Sequence, residues 1–211
     1  MSDLFSNSRP DIEEIYPDMF LLANFVETKQ LLRDIDKIIL QSPFRKMMTP
    51  NGHKTGIALA NCGEYGWVSD IHGYRYSTVD PETEQAWPLL PESLRALATK
   101  AAARAGYINF VPDCCLINHY PIGSRLNSHQ DKNEQDFNWP IVSVSIGLTA
   151  IFQVFGDERG GKPLNSKVFD GDVMVWGGKS RLAYHGVNTI KADPHNPKLK
   201  QRINVTFRKA Y

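Results

Sequence analysis

From Arg202 to Arg208 the chain reads Arg-Ile-Asn-Val-Thr-Phe-Arg, polar and apolar residues in strict alternation. An extended backbone turns successive side chains to opposite faces. One face therefore carries two guanidinium groups, an amide and a hydroxyl, and the other carries Ile203, Val205 and Phe207. The pattern predicts a strand with a core behind it and a binding face in front; the plain alternative is an edge strand whose polar face meets water. A longer period governs two earlier segments. Leu31, Leu32, Ile35, Ile38 and Ile39 recur at helical spacing over about residues 28–41, and Ser42-Pro43 stops them. Leu94, Leu97, Ala98 and Ala101 do the same over about residues 91–105, with proline at the start and Gly106 past the end. Both read as amphipathic helices packed on a sheet.

After residue 114 the pattern is strand-rich. Segments 114–120, 141–148, 150–155, 168–169, 172–176, 185–190 and 202–208 are short apolar or alternating runs divided by Pro121, Gly123, Gly156, Gly160-Gly161, Gly171 and Gly177-Gly178. Many short strands without intervening helices predict a jelly-roll β-sandwich. Between the two helices, Gly63 to Trp67 and Ile71 to Tyr76 form a glycine-punctuated aromatic segment that reads as a surface hairpin or lid. The expected class is α+β, mainly β, in a single domain.

Composition adds limits. With 211 residues and 42% hydrophobic content the chain can bury one substantial core. Met1 to Pro10 is polar and lacks an apolar signal core, and no apolar run reaches the roughly 20 residues a membrane span needs. Cys62 and the adjacent Cys114-Cys115 have no disulfide-framework spacing and fit a reducing compartment, so a cytoplasmic protein is expected. The formal net charge of +1 makes no global case for nucleic acid. Residues 179–211, however, hold eight Lys/Arg against the single acid Asp193, a cationic stretch that either meets phosphates or forms a solvated rim.

His129-Gln130-Asp131 sets an imidazole and a carboxylate two positions apart, aimed the same way by an extended backbone, and His185 supplies a second imidazole from a distant strand. Two histidines and one carboxylate occupy one face of an octahedral ion and leave three positions open, the arrangement of non-haem Fe(II) oxygenases. His-x-Asp alone is a short pattern. Its weight comes from the downstream Arg/Asn/Thr/Arg face, because a guanidinium holds a carboxylate in a fixed plane. Together they point to a metal with an anionic co-substrate.

Residues 115–120 (Cys-Leu-Ile-Asn-His-Tyr), 128–132 (Ser-His-Gln-Asp-Lys), 140–148, 172–178 and 202–208 occur in the order and register of a known family. The chain resembles the bacterial AlkB alkylation-repair dioxygenases over nearly its whole length, with residues 42–45, 61–63 and 66–67 fitting that family's lid. The resemblance implies a double-stranded β-helix core over about residues 112–211 and a nucleotide-recognition lid over about residues 42–90. It implies Fe(II) held by His129, Asp131 and His185, and 2-oxoglutarate held by Arg202, Asn204, Thr206 and Arg208 with Asn118 and Tyr120. In that division Arg208 would pair with the distal carboxylate and Arg202 would surround the metal-proximal end.

The implied reaction uses O2, with ascorbate as reductant in vitro, to hydroxylate the methyl carbon of 1-methyladenine- or 3-methylcytosine-type bases; formaldehyde and succinate leave. The implied partner is alkylated DNA, single-stranded by preference, or RNA, since a stacked base is out of reach; a monomer without membrane contact is expected. Trp67 would stack on the base, Tyr74, Arg75 and Tyr76 would contact it or its phosphates, and Arg159 would face the substrate. Asn133-Glu134 stands where the family pattern has two acids. Asn133, expected against the base with Glu134, is neutral and should discriminate less in favour of cationic lesions. Two alternatives stay open: a 2-oxoglutarate oxygenase for a protein or small molecule, and a non-enzymatic jelly-roll module.

Overall fold

The computed structural model describes residues 9–211, so the N-terminal stretch expected to lack a targeting core lies, up to residue 8, outside them. The elements run β1 (Ile12–Tyr16), β2 (Met19–Leu22), α1 (Thr28–Gln41), β3 (Ala58–Gly63), β4 (Gly66–Asp70), β5 (Gly73–Ser77) and α2 (Glu92–Arg104). The second half continues β6 (Cys114–Pro121), β7 (Leu126–His129), β8 (Ile141–Gly147), β9 (Ala150–Gly156), β10 (Leu164–Val168), β11 (Val173–Trp176), β12 (Tyr184–Val187) and β13 (Gln201–Arg208). A seven-stranded sheet in the order β1-β2-β11-β8-β13-β6-β3 faces a four-stranded sheet in the order β10-β9-β12-β7, and β4 and β5 form a separate hairpin. Every pairing between these strands is antiparallel.

The two faces of the large sheet have different tasks. Ile203, Val205 and Phe207 join Val142, Val144 and Ile117 on the outer face, under Leu31, Ile35 and Ile38 of α1 and Leu94, Ala98 and Ala101 of α2. The small residues of α2 let that helix lie close to the sheet. Asp34 of α1, buried there, accepts a hydrogen bond from Ser93 of α2 at 2.7 Å and so ties the helices to each other. The inner face packs Met19, Leu116, Ile141, Met174 and Trp176 against Phe152, Val154 and Val187 of the small sheet. Strand β13 lies between β8 and β6 and is buried from Arg202 to Arg208, so its polar face meets the interior of the sandwich rather than water.

Three expectations change. The extended run at 168–169 proves to be the end of β10, and Phe169 lies beyond it. Strands β1 and β2 pass unnoticed in the sequence because their alternation is short and irregular, and a bulge interrupts their pairing. Strand β3 joins the large sheet beside β6, as β1 and β2 do at its opposite edge. The large sheet therefore reaches outside residues 112–211, and the span 42–90 is part sheet and part hairpin. Among the described residues, no helix is long and apolar enough to cross a membrane.

If α2 seals the outer face, Leu94→Ala should cost about 2–5 kcal/mol of unfolding free energy. Leu40→Ala, at a position 83% exposed on α1, should change it by less than about 0.5 kcal/mol. Urea denaturation reads both, and equal losses would contradict this placement.

Candidate active site

Strand β7 ends at His129, directly opposite His185 of β12. The approach depends on Gly186: a Cβ there would lie 2.7 Å from the carbonyl oxygen of Leu126, so any larger residue would push β12 away from β7. The two imidazole centroids are 4.5 Å apart. Asp131, two residues past β7, sets one carboxylate oxygen 3.7 Å from His129 Nε2 and the other 3.7 Å from His185 Nε2. One atom from each of the three side chains falls within 4.8 Å of the others.

The tautomers are fixed by the backbone. His129 Nδ1 lies 2.9 Å from the Asn127 carbonyl and His185 Nδ1 lies 2.9 Å from the Ala183 carbonyl. A carbonyl only accepts, so each Nδ1 donates and each Nε2 is the atom turned toward Asp131. His185 stacks on Phe152 at 5.6 Å and meets the edge of Trp176 at 5.1 Å. Burial, with repulsion from His129, pushes its pKa down to about 4 against the pull of Asp131, which keeps the ring in its neutral, ligating form. The three groups fit a divalent ion held on one face.

Arg208 donates from Nη2 to Asp131 Oδ2 at 2.7 Å. Burial alone would favour the protonated acid, but the guanidinium and the two imidazoles hold the Asp131 carboxyl well below the usual carboxylate range. Behind this contact lies Glu134, whose side chain is almost fully enclosed. Its carboxylate accepts from the Tyr76 hydroxyl, forms an ion pair with Arg181 Nη2 at 3.0 Å, and lies 3.4 Å from Arg208 Nε. Arg181 also donates to the backbone carbonyls of Asp131, at 2.8 Å, and Trp139, at 3.0 Å. Tyr76 and Glu134, expected against the substrate, instead face each other below the surface, and together they brace Arg208 and the loop that carries Asp131.

Arg202 is different. It is 2% exposed, donates to Ser145 Oγ at 3.0 Å and lies over the Tyr120 ring at 5.0 Å. Its Nε and Nη1 are buried with no hydrogen-bond partner, and no carboxylate pairs with it among the described residues. Burial lowers its pKa and does the same work in reverse on Tyr120, whose hydroxyl is pushed up to about 12. An uncompensated buried guanidinium is costly, so this one fits a site for an anion. Between Arg202 and Arg208, Asn204 donates to Ser143 Oγ at 2.7 Å and to the Val144 carbonyl at 3.0 Å, and its Oδ1 accepts from Asn118 at 3.2 Å and Thr206 at 3.0 Å. These contacts are the opposite of those expected for the two arginines. Arg208 is committed to the metal-side carboxylate, and Arg202 keeps donors free.

At the rim, Trp67 of β4 stacks on Tyr74 of β5 at 5.6 Å. The Trp67 indole donates to Asn133 Oδ1 at 3.3 Å, and Asn133 Nδ2 donates to the Tyr74 carbonyl at 3.4 Å. The hairpin is thereby joined to the loop two residues past Asp131. Arg75 turns to the other face of β5 and forms a two-pronged pair with Asp70 at 2.9 and 2.8 Å, away from the role expected for it. Arg159 is exposed on the loop that leaves β9 at Gly156, whose register partner Tyr184 adjoins His185. His119 points outward, to Gln201 at 2.7 Å and Phe44 at 5.1 Å.

Sequence reasoning missed Arg181, Ser143 and Ser145. The serines had a signal, since Val142-Ser143-Val144-Ser145 repeats the alternation of β13 and sets both hydroxyls on its inner face. Arg181 had none, being one cation in a basic run.

The family model described as the 2OG-Fe(II) oxygenase superfamily matches residues 18–208. The alpha-ketoglutarate-dependent dioxygenase AlkB of Escherichia coli (strain K12) is 46% identical over 213 residues, covering 100% of this chain and 98% of that protein. The nucleic acid dioxygenase ALKBH1 of Homo sapiens is 30% identical over 128 residues, which are 61% of this chain and 33% of that protein. A solved structure, that of OsALKBH1, superposes with a TM-score of 0.81 at 29% identity, covering 94% of this chain and 99% of that one.

Glu134→Ala would leave Arg181 and Arg208 buried without the acid between them. The expected destabilisation is about 3–5 kcal/mol, read by denaturant unfolding, and a loss under about 1 kcal/mol would show that the two guanidinium groups do not need it.

Proposed function

This chain belongs to the AlkB family of the 2OG-Fe(II) oxygenase superfamily, and on that premise we propose that it demethylates 1-methyladenine- and 3-methylcytosine-type bases in DNA or RNA, releasing formaldehyde and succinate. It is an Fe(II)- and 2-oxoglutarate-dependent dioxygenase, and the non-enzymatic module falls away. The observation that carries the reading is Arg202, a buried guanidinium with two unpartnered nitrogens on the same strand face as the arginine that holds Asp131.

His129, Asp131 and His185 would hold the iron, their Nδ1 hydrogens and the Arg208 contact fixing the three donors in place. Arg202, beside Tyr120 and Ser145, would take the distal carboxylate of 2-oxoglutarate, while Asn118, Asn204 and Thr206 line the strand face between it and Arg208. Iron and 2-oxoglutarate, when bound, supply with O2 the oxidising chemistry; the protein's part is to place the methyl group and keep water out. Phe152 and Trp176 do the latter on the His185 side.

Trp67 would stack on the damaged base, with Tyr74 beside it and Arg159 approaching from the β9–β10 loop. A ring methyl inside a duplex is out of reach of donors set between two sheets, which favours a single strand or a flipped base. The nucleic-acid substrate is in keeping with the name of the human relative, a nucleic acid dioxygenase. A monomer in the cytoplasm completes the reading, with Cys62, Cys114 and Cys115 kept as free, buried thiols.

A methylated single-stranded oligonucleotide incubated with protein, Fe(II), ascorbate and 2-oxoglutarate should lose one methyl by mass spectrometry, and only when 2-oxoglutarate is present. Retention of the methyl in the complete mixture, with succinate still formed, would point to another substrate. Asn133 spends both ends of its amide on Trp67 and Tyr74 and carries no charge. Asn133→Asp should therefore raise turnover of a cationic 1-methyladenine oligonucleotide relative to one with a neutral methylated base. The expected factor is roughly fivefold, as about 1 kcal/mol of charge-assisted hydrogen bonding gives; an unchanged ratio would remove Asn133 from base selection.

A further inference from the structure

Tyr65, in the turn between β3 and β4, stacks on Tyr211, just past β13, with ring centroids 4.5 Å apart and planes 30° apart. Neither ring contacts the metal-ligand triad or the arginine face of β13. Tyr65 packs on the small cluster of Tyr76, Cys114 and Ala210, which Trp67 also covers, so the stacked pair and the Trp67 rim share one support. Tyr211 is nevertheless 48% exposed.

Its backbone is held firmly for so exposed a residue. The Asp113 carboxylate accepts from the Ala210 N–H at 2.7 Å and from the Tyr211 N–H at 3.2 Å. The Gln135 N–H donates to the Ala210 carbonyl at 3.0 Å, which links the pair to the loop that carries Asp131 and Asn133. Anchoring of this kind removes in advance much of the ordering cost that a ligand stacking on a loose aromatic would meet. Two cations are close in sequence: Lys132, on that loop, is exposed with no carboxylate partner among the described residues, and Lys209, two residues before Tyr211, lies over Trp139 at 5.3 Å.

We propose that Tyr65 and Tyr211 form a second stacking site, which takes a base flanking the one held at Trp67 on a single strand; this rests on the nucleic-acid reading above. Every base offers a flat π-face, so the site is indifferent to sequence. The exposed Glu64 beside Tyr65 repels a phosphate there and leaves the backbone charge to Lys132 and Lys209. The consequence is a footprint longer than one nucleotide, with affinity gained from an undamaged neighbour.

The test uses single-stranded pentanucleotides with a central methylated base, intact or with an abasic residue at each flanking position in turn. Binding is measured by fluorescence anisotropy to wild type, Tyr211→Phe and Tyr211→Leu, the last keeping apolar bulk without the ring. Wild type and Tyr211→Phe should lose roughly 5- to 150-fold in affinity at one flanking position, the range for one stacked base. Tyr211→Leu should lose a comparable factor on the intact strand and become insensitive at that same position. Thermal unfolding confirms that it is folded; were it not, the abasic scan of wild type against Tyr211→Phe still decides. Wild type indifferent to every flanking abasic residue, or Tyr211→Leu as sensitive as wild type, would overturn the second site. Failure of wild type to demethylate any of these strands would instead overturn the nucleic-acid reading.

Discussion

Three arginines and two carboxylates are enclosed together at the heart of this molecule, and that imbalance organises everything around it. Arg181 and Arg208 share Glu134 and Asp131, whereas Arg202 has a serine hydroxyl, an aromatic ring and two bare nitrogens. A fold does not keep a guanidinium dry without compensation unless something else completes it. A dicarboxylate co-substrate would supply the missing charge, and Asp131, already ionised beside Arg208, would anchor a cation next to it. The demand for a metal and the demand for an anion thus come from one charge arrangement, the two arginines of β13 and the Asp131 carboxylate past β7.

That arrangement needs a strand buried on both faces. The large sheet covers the outer side of β13 with two helices, and the small sheet closes over the inner side, so polar groups at every second residue are removed from bulk water. Each of these groups must then find a partner, and Ser143, Ser145, Asn118 and the backbone of Val144 provide them. On β13 two buried nitrogens of Arg202 and the Nε of Arg208 stay without a hydrogen-bond partner, and only Arg208 has carboxylates beside it. The β4–β5 hairpin reaches the same place from outside, through Trp67 to Asn133 at the surface and through Tyr76 to Glu134 beneath it. Contact at the rim and support of Asp131 therefore run through neighbouring residues of one loop.

Periodicity made much of this legible. The alternation of residues 202–208 gave the two faces of β13, the helical spacing gave α1 and α2, and the order His129, Asp131, His185 named the three donors that the structure gathers. Which arginine is left free was beyond sequence, because it depends on a contact between Asp131 and Arg208 across 77 positions. The placement of Arg75, Tyr76 and Glu134 differs from the expected one for a related reason. Alternation along β5 assigns Arg75 one face and Tyr76 the other, but only packing shows that Tyr76 lies beneath the surface and that Arg75 meets Asp70. Short irregular strands such as β1 and β2 left no period to read.

The claim that Arg202 awaits a carboxylate is open to a direct measurement. Protein loaded with Fe(II) under anaerobic conditions is titrated with 2-oxoglutarate and with pyruvate, which has the oxo-acid end but no distal carboxylate, and the visible charge-transfer band is followed. Wild type should bind 2-oxoglutarate roughly 100-fold more tightly than pyruvate or better, as a buried charge pair provides, and Arg202→Leu should lose that difference while still developing the band. Equal half-saturation for the two acids in wild type, or a preference that survives in Arg202→Leu, would contradict it.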